Sequence, residues 1–378
     1  MFLTLITQAQ PPPPLIGPLV ATTAAEQDRL LIYDLGAPEG TAKRELSFGA
    51  GQHHMWGFSP EGCRVLFTLD EAGNGLPKLY SANLDGSDVR AMVEYDELPA
   101  DDWGVWEPNW SARGLIAFTM IRNEDDGEQA HHIGWIYGTG GEPQFYSVTG
   151  REFTPIWSAD GEWLAYVSYD ERPAGADIQS TAVPTPEGQP AAELPTVQEA
   201  DIWLVSADGE TKYRLTNFST GSVRAPRWSP DGDLIGFVYS PSPSNDTFWM
   251  IGAQQGANPT QLSYFWNLTL DFTWLPDSTA MLAAVRDFRS TSQNRLWQIP
   301  LVGNADDNAT VYLQNPAYTY TDYPRFSADG RYLAFRSDYG LHVLEVSTGQ
   351  VTRLDPTVLG NMPPVWSPEL FAGEAVCG

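Results

Sequence analysis

Pro155-Ile156-Trp157-Ser158-Ala159-Asp160-Gly161, followed at once by Trp163-Leu164-Ala165-Tyr166-Val167, is the stretch that decides the fold. An extended approach containing proline ends on an aromatic residue. Ser-Ala-Asp-Gly then makes a tight turn, in which Asp bonds the backbone ahead of it and Gly accepts a positive φ. The run that follows is rich in aromatic and β-branched residues and reads as a strand. The aromatic is placed to end an inner strand and to fill the space between one such unit and the next.

The same phrase returns along the whole chain. It reads Trp56-Gly57-Phe58-Ser59-Pro60-Glu61-Gly62, Pro108-Asn109-Trp110-Ser111-Ala112-Arg113-Gly114 and Pro226-Arg227-Trp228-Ser229-Pro230-Asp231-Gly232. A degenerate copy is Phe272-Thr273-Trp274-Leu275-Pro276-Asp277-Ser278. Pro324-Arg325-Phe326-Ser327-Ala328-Asp329-Gly330 follows, and Pro364-Val365-Trp366-Ser367-Pro368-Glu369 completes seven copies. They stand mostly about 40 to 55 residues apart, the spacing of propeller blades. Each phrase leads into a third and a fourth strand, as at Asp201-Ile202-Trp203-Leu204-Val205 and Leu341-His342-Val343-Leu344-Glu345-Val346. Four strands per unit is a blade, so the expected fold is an all-β, seven-bladed propeller of antiparallel blades.

The two ends are expected to share one blade. Residues 29–35 and 41–48 read as third and fourth strands with no phrase before them, and the last phrase leads into about one further strand. Joining them closes the ring and removes two open sheet edges. The propeller is therefore assigned to residues 29–378, and residues 1–28 to an apolar, proline-rich tail or linker. A stretch rich in Pro, Ala, Glu and Thr at 171–200 reads as a mobile surface insertion in the third repeat.

The Trp-Ser-Pro-Asp-Gly phrase, the apolar second strand and the Asp-Ile-Trp third strand resemble the repeats of the TolB-like, WD-repeat-like propellers, over residues 29 to 376. The resemblance implies the fold firmly and the function weakly, since one fold hosts many functions. Members of that family are mostly exported or periplasmic and bind proteins or peptides. Similar propellers precede serine-peptidase domains, and a related set forms metal-dependent pectin-fragment lyases.

Composition agrees with an all-β chain: 42% apolar residues, with 14 Trp, 16 Tyr, 16 Phe, 34 Gly and 30 Pro. The 48 acidic and 21 basic residues leave a formal charge of −27, and the lysines are Lys43, Lys78 and Lys212. Such a field repels phosphate backbones and anionic lipid, which excludes nucleic acid and direct membrane-surface binding as expectations. Cys63 and Cys377 have no metal-ligand spacing. They fall in the first and last blades, which are neighbours in a closed ring; two separate thiols are expected, a closure-locking disulfide being the alternative. Met1 to Ala9 followed by Pro11–Pro14 reads as a truncated export signal or anchor with a stiff spacer, pointing to a periplasmic or extracellular domain.

Catalytic signatures are scarce. There is no Gly-x-Ser-x-Gly elbow, so a serine-peptidase centre is not expected in this sequence. His53 and His54 lie on the first inner strand beside Gln52, where Glu107, Asp271 and Asp322 also belong to inner strands. A divalent cation held by His53 or His54 is the alternative to a fold without cofactor. The position before the repeat aromatic varies sharply: Asn109, Ile156, Arg227, Thr273, Arg325 and Val365. Arg227 and Arg325, with Asn109, Glu107, Asp271 and Asp322, form the candidate ligand site at the channel mouth, and salt-bridged structural arginines are the competing reading. The expected function is a non-catalytic, monomeric, exported propeller holding a protein or peptide. The alternatives are a metal-assisted lyase or glycan-active enzyme at the channel mouth, and a ligand-sensing ectodomain of an anchored protein.

Overall fold

The structure is a computed structural model. It describes residues 13–38, 40–124, 127–147, 149–173, 196–218, 221–242, 245–263, 269–286, 294–313, 318, 320–337, 340–356, 362–369 and 371–377, and only the backbone of 170–173, 196–199, 242, 245, 269–270, 286 and 294. Within them, the chain builds seven four-stranded antiparallel sheets, one for each copy of the phrase. The innermost strands are Gln52–Phe58, Trp103–Trp110, Glu152–Trp157, Ser222–Trp228, Thr269–Trp274, Thr321–Phe326 and Val365–Trp366. Each touches the next around a ring, and the seventh touches the first. The protein is a seven-bladed β-propeller.

The turns form as their residues dictate. In blade 3, Ser158 donates its hydroxyl to Asp160 at 2.5 Å, Asp160 accepts the Glu162 N–H at 2.9 Å, and the Gly161 N–H reaches the Ser158 carbonyl at 2.9 Å. Gly161 has φ 69°, which the turn requires. In the degenerate fifth copy Ser278 occupies the glycine's place at φ 60°, and Asp277 still accepts the Thr279 N–H at 3.1 Å. The turn survives at the cost of a strained residue.

The repeat tryptophan ties blade to blade. The indole N–H of Trp228 donates to the Ile156 carbonyl at 3.1 Å, that of Trp274 to the Arg227 carbonyl at 2.9 Å, and that of Trp366 to the Arg325 carbonyl at 2.9 Å. In each case the acceptor belongs to the residue before the aromatic of the preceding blade. The rings meanwhile fill the gaps between sheets: Phe248 and Phe272 meet edge-on at 5.8 Å beside Trp274 and Met281. Each fully buried aromatic there contributes about 2–3 kcal/mol of apolar burial.

Ring closure differs in detail from the sequence reading. The seventh blade runs Val365–Trp366, then Leu19–Thr23, Leu30–Asp34 and Ala42–Leu46. Its second strand comes from the N-terminal side, inside the stretch 1–28 assigned to a tail, and not from the chain after Trp366. Leu19–Thr23 is buried on both faces and so shows no alternation. Ser367 and Leu19 exchange two bonds, the Ser367 N–H to the Leu19 carbonyl at 2.9 Å and the Leu19 N–H to the Ser367 hydroxyl at 3.0 Å.

Beyond that strand the C-terminus clasps the outer strand of blade 7, the N-terminal segment and the turn of blade 1. Arg44 pairs with Glu374 at 2.5 Å, and the Leu15 N–H donates to Glu374 at 2.8 Å. Phe371 lies against Gly62, where an added Cβ would come within 2.7 Å of its side chain. Cys63 and Cys377 are joined as a disulfide, with Cα atoms 5.4 Å apart. The expectation of two separate thiols is thereby corrected: ring closure brings together residues 314 positions apart.

The third-repeat excursion is shorter than its composition implies. Trp163–Pro173 pairs with Thr196–Ser206 along their full length, so residues 171–173 and 196–200 belong to a long hairpin. The rest of that insertion, 174–195, and the first residues of the N-terminal tail, 1–12, lie outside the described residues.

Candidate functional site

The inner strands do not run evenly. In blades 2, 3, 4 and 6 the register with the second strand slips at the proline of the phrase. The residue before that proline takes a positive φ: Glu107 52°, Thr154 55°, Ala225 52° and Tyr323 51°. Proline donates nothing to the ladder, so on an interior strand it sits at a bulge. The strained residue beside it has its side chain re-aimed, as bulges near functional surfaces commonly do. The sequence reading noted the prolines and missed the bulges.

The bulges and the position before the aromatic assemble a charged group on the inner strands of blades 4 to 6. Arg227 donates to Asp271 Oδ1 at 2.9 Å, and Arg325 faces Asp271 Oδ2 at 2.7 Å. One buried carboxylate thus bridges two guanidiniums from flanking blades. Burial pushes the Asp271 carboxyl up, but Arg325 and Arg227 together outweigh it and hold the group below the ordinary aspartate range. Arg325 is driven down to about 10, chiefly by burial and then by the like charge of Arg227. Asp322 accepts a fork of two bonds from Arg336 at 2.7 and 2.6 Å, and burial pushes its carboxyl up despite that partner.

Glu107 stands on blade 2, near enough for the charge of Arg227 to act on it. It accepts the Thr154 N–H at 2.8 Å and a hydroxyl from Thr119 at 3.5 Å, and burial raises its carboxyl above the ordinary glutamate range. Asn109 accepts the Trp157 N–H at 2.8 Å and so links blades 2 and 3. Of the six candidate channel residues, Arg227, Arg325 and Asp271 are brought together in one group. Asp322 stands with Arg336, and Glu107 and Asn109 bridge to blade 3.

The two histidines part company. His53 is fully buried, its Nε2 accepting the Phe48 N–H at 3.2 Å and its Nδ1 lying 3.2 Å from the Gly51 carbonyl. Those contacts occupy both ring nitrogens with backbone. His54 lies 5.2 Å from the Trp106 ring, its Nδ1 is buried without a partner, and burial holds it below the ordinary histidine range while Asp70 pulls the other way. Among the described residues no group of three or more His, Cys, Asp and Glu is placed around a common point for a metal ion.

At the face that carries the Ser-Pro-Asp-Gly turns, blades 3 to 6 surround a cavity of about 350 Å³. Its walls include Trp157, Trp228, Trp274, Pro276 and Phe326, and Arg227 is the one charged residue among the described residues that line it. The aromatics were legible in the sequence as blade-packing residues, and here they also wall the mouth. A larger depression of about 540 Å³ at the rim between blades 2 and 3 mixes Glu128, His131 and Arg151 with Phe153 and Tyr169. Tyr169 begins the strand end that leads to residues 174–195.

No family model matches the sequence. A curated relative, the uncharacterized peptidase YuxL of Bacillus subtilis (strain 168), is 25% identical over 151 residues, 39% of this chain. That match spans 19% of the relative's own length. Among solved structures, an oligogalacturonate lyase in complex with manganese superposes with a TM-score of 0.54 at 14% identity, covering 85% of this chain and 87% of the other. TolB from Acinetobacter baumannii gives a TM-score of 0.50 at 15% identity, covering 93% and 83%. A prolyl endopeptidase gives 0.59 at 11% identity, covering 90% of this chain and 50% of that one. At these identities the likeness is one of fold: this chain is a seven-bladed propeller of the kind found in TolB and oligogalacturonate lyase.

Proposed function

We propose that the protein is a binding propeller that holds a protein or peptide partner at the channel mouth. The observation that carries this is the mouth itself: aromatic walls from blades 3 to 6 around Arg227, whose orientation is set by Asp271. Aromatic residues and arginine dominate the energetics of protein recognition, because they bring large contact area and directional donors at low entropy cost. TolB among the structural neighbours favours the same reading, while the lyase and peptidase neighbours share the fold with catalytic proteins. Export is part of the proposal. The Cys63–Cys377 disulfide is the kind of bond that persists in oxidising compartments.

The test uses the oxidised protein as bait against an extract of its source organism, alongside Ala159→Trp. Ala159 is exposed and lines the mouth, so a bulky ring there blocks the cavity without entering the core. A protein retained by the wild type and lost from the blocked variant supports the reading. Retention that ignores the block, or Mn²⁺-stimulated cleavage of a uronate polymer by the purified chain, overturns it.

A further inference from the structure

We infer that the mouth cavity reads the free C-terminal carboxylate of a peptide segment ending in an apolar residue, with Arg227 as the anion contact. This rests on the binding function proposed above and specifies its ligand.

The first observation is the contrast of charge. A chain with 48 acidic residues and a formal charge of −27 has kept carboxylates off the lining of this cavity, where Arg227 is the one charge among the described residues. The second is stoichiometry. Asp271 is shared between Arg227 and Arg325, so Arg227 has no carboxylate of its own. The third is access. Asp271 takes one amino group of Arg227, and a quarter of that side chain stays exposed, which leaves donors for an acceptor that enters the cavity.

The rest of the cavity sets the body of the ligand. The indole N–H groups of Trp228 and Trp274 are tied to backbone carbonyls, which fixes their rings and leaves apolar surface toward the cavity. Planar guanidinium next to apolar walls suits a carboxylate carried on an aliphatic or aromatic group. A volume of about 350 Å³ lies at the small end of ligand pockets and takes one or two residues. A chain terminus enters such a pit end-on, whereas an internal segment has to enter and leave it. The surrounding negative field disfavours polyanions and leaves a single carboxylate as the anion tolerated.

The probe is fluorescein-labelled Gly-Ser-Gly-Leu-Phe with a free carboxylate, compared by anisotropy with the same peptide amidated at its C-terminus. The free acid is expected to bind at least tenfold more tightly than the amide. Arg227→Gln should remove that difference, and Ala159→Trp should remove binding of both. Arg227→Gln must also keep a cooperative melt, with Arg227→Lys as the charge-keeping control that retains part of the preference.

Equal binding of acid and amide, both blocked by Ala159→Trp, overturns the carboxylate inference and leaves the binding function standing. Absence of peptide binding, with a captured partner still lost on Ala159→Trp, does the same. Absence of both peptide binding and mouth-dependent capture overturns the two together.

Discussion

Breaking the Cys63–Cys377 bridge should lower stability strongly while leaving the native fold in place. The bridge spans 314 residues, so it encloses most of the chain. In the chain-entropy picture a loop of that length confines the unfolded ensemble by about 5.7 kcal/mol, and the usual yield of a native disulfide is about 2–5 kcal/mol. For 378 residues the entropy of unfolding scales to about 0.8 kcal/mol per degree, so the loss corresponds to roughly 3 to 7 °C in Tm. The native contacts around the bridge remain: Arg44 on Glu374, Phe371 against Gly62, and the exchange between Ser367 and Leu19. The assay is a calorimetric melt of the wild type and of Cys63→Ser/Cys377→Ser, with native tryptophan fluorescence recorded for both. Matching fluorescence with a Tm lowered within that range is the expected result. Coincident melts of oxidised wild type and double mutant would refute the reasoning, because they would mean that the unfolded chain gains nothing when the loop is opened.

Two further outcomes follow from the channel and the histidines. Asp271→Asn leaves Arg227 and Arg325 facing each other without their carboxylate, and should cost about 3–5 kcal/mol, read as a fall of roughly 4 to 6 °C in Tm; a melt within a degree of wild type would show that solvent already neutralises the pair. Burial holds His54, His131 and His132 below the ordinary histidine range, with Asp70 and Glu152 partly opposing it. Their folded pKa values therefore lie below the unfolded value of about 6.5, so the stability linked to them is present above that pH and is lost as pH falls through it. Between pH 7.5 and 5.5 the Tm of His54→Gln/His132→Gln should fall less than that of wild type, and parallel falls would count against the assignment.

The fold was legible because the phrase is a mechanical part. Aromatic, hydroxyl, acid and glycine each have one job in the turn, and Ser158, Asp160 and Gly161 perform those jobs with the bonds their chemistry suggests. The closing strand was illegible for the converse reason: Leu19–Thr23 is covered on both faces and carries no period. The disulfide followed from ring closure, which brings Cys63 and Cys377 within reach, but nothing in their spacing favoured pairing over two thiols. Arg227, Arg325 and Asp271 could be named as inner-strand residues. That Asp271 bridges both arginines could not be read from the sequence, because it depends on how neighbouring blades stagger. The adjacent His53 and His54 do not share an environment. His53 and His54 alternate along one strand, and the former is absorbed by the backbone at Phe48 and Gly51.

The variability of the position before the aromatic has a structural reason. At Ile156, Arg227 and Arg325 the backbone carbonyl receives the indole of the next tryptophan in line, and that bond is indifferent to the side chain the residue carries. At these three junctions blade-to-blade register is thus held by a main-chain acceptor, whichever side chain the residue carries. A substitution there changes the chemistry of the channel while leaving the indole bond and the turn beyond it intact. Arg227 shows both halves at once: its carbonyl anchors Trp274 and its guanidinium, steadied by Asp271, faces the mouth. A ring joined in this way keeps its fold at those three junctions whatever side chain faces the mouth, whereas at Asn109 the side chain itself bonds the next blade and is not free to differ.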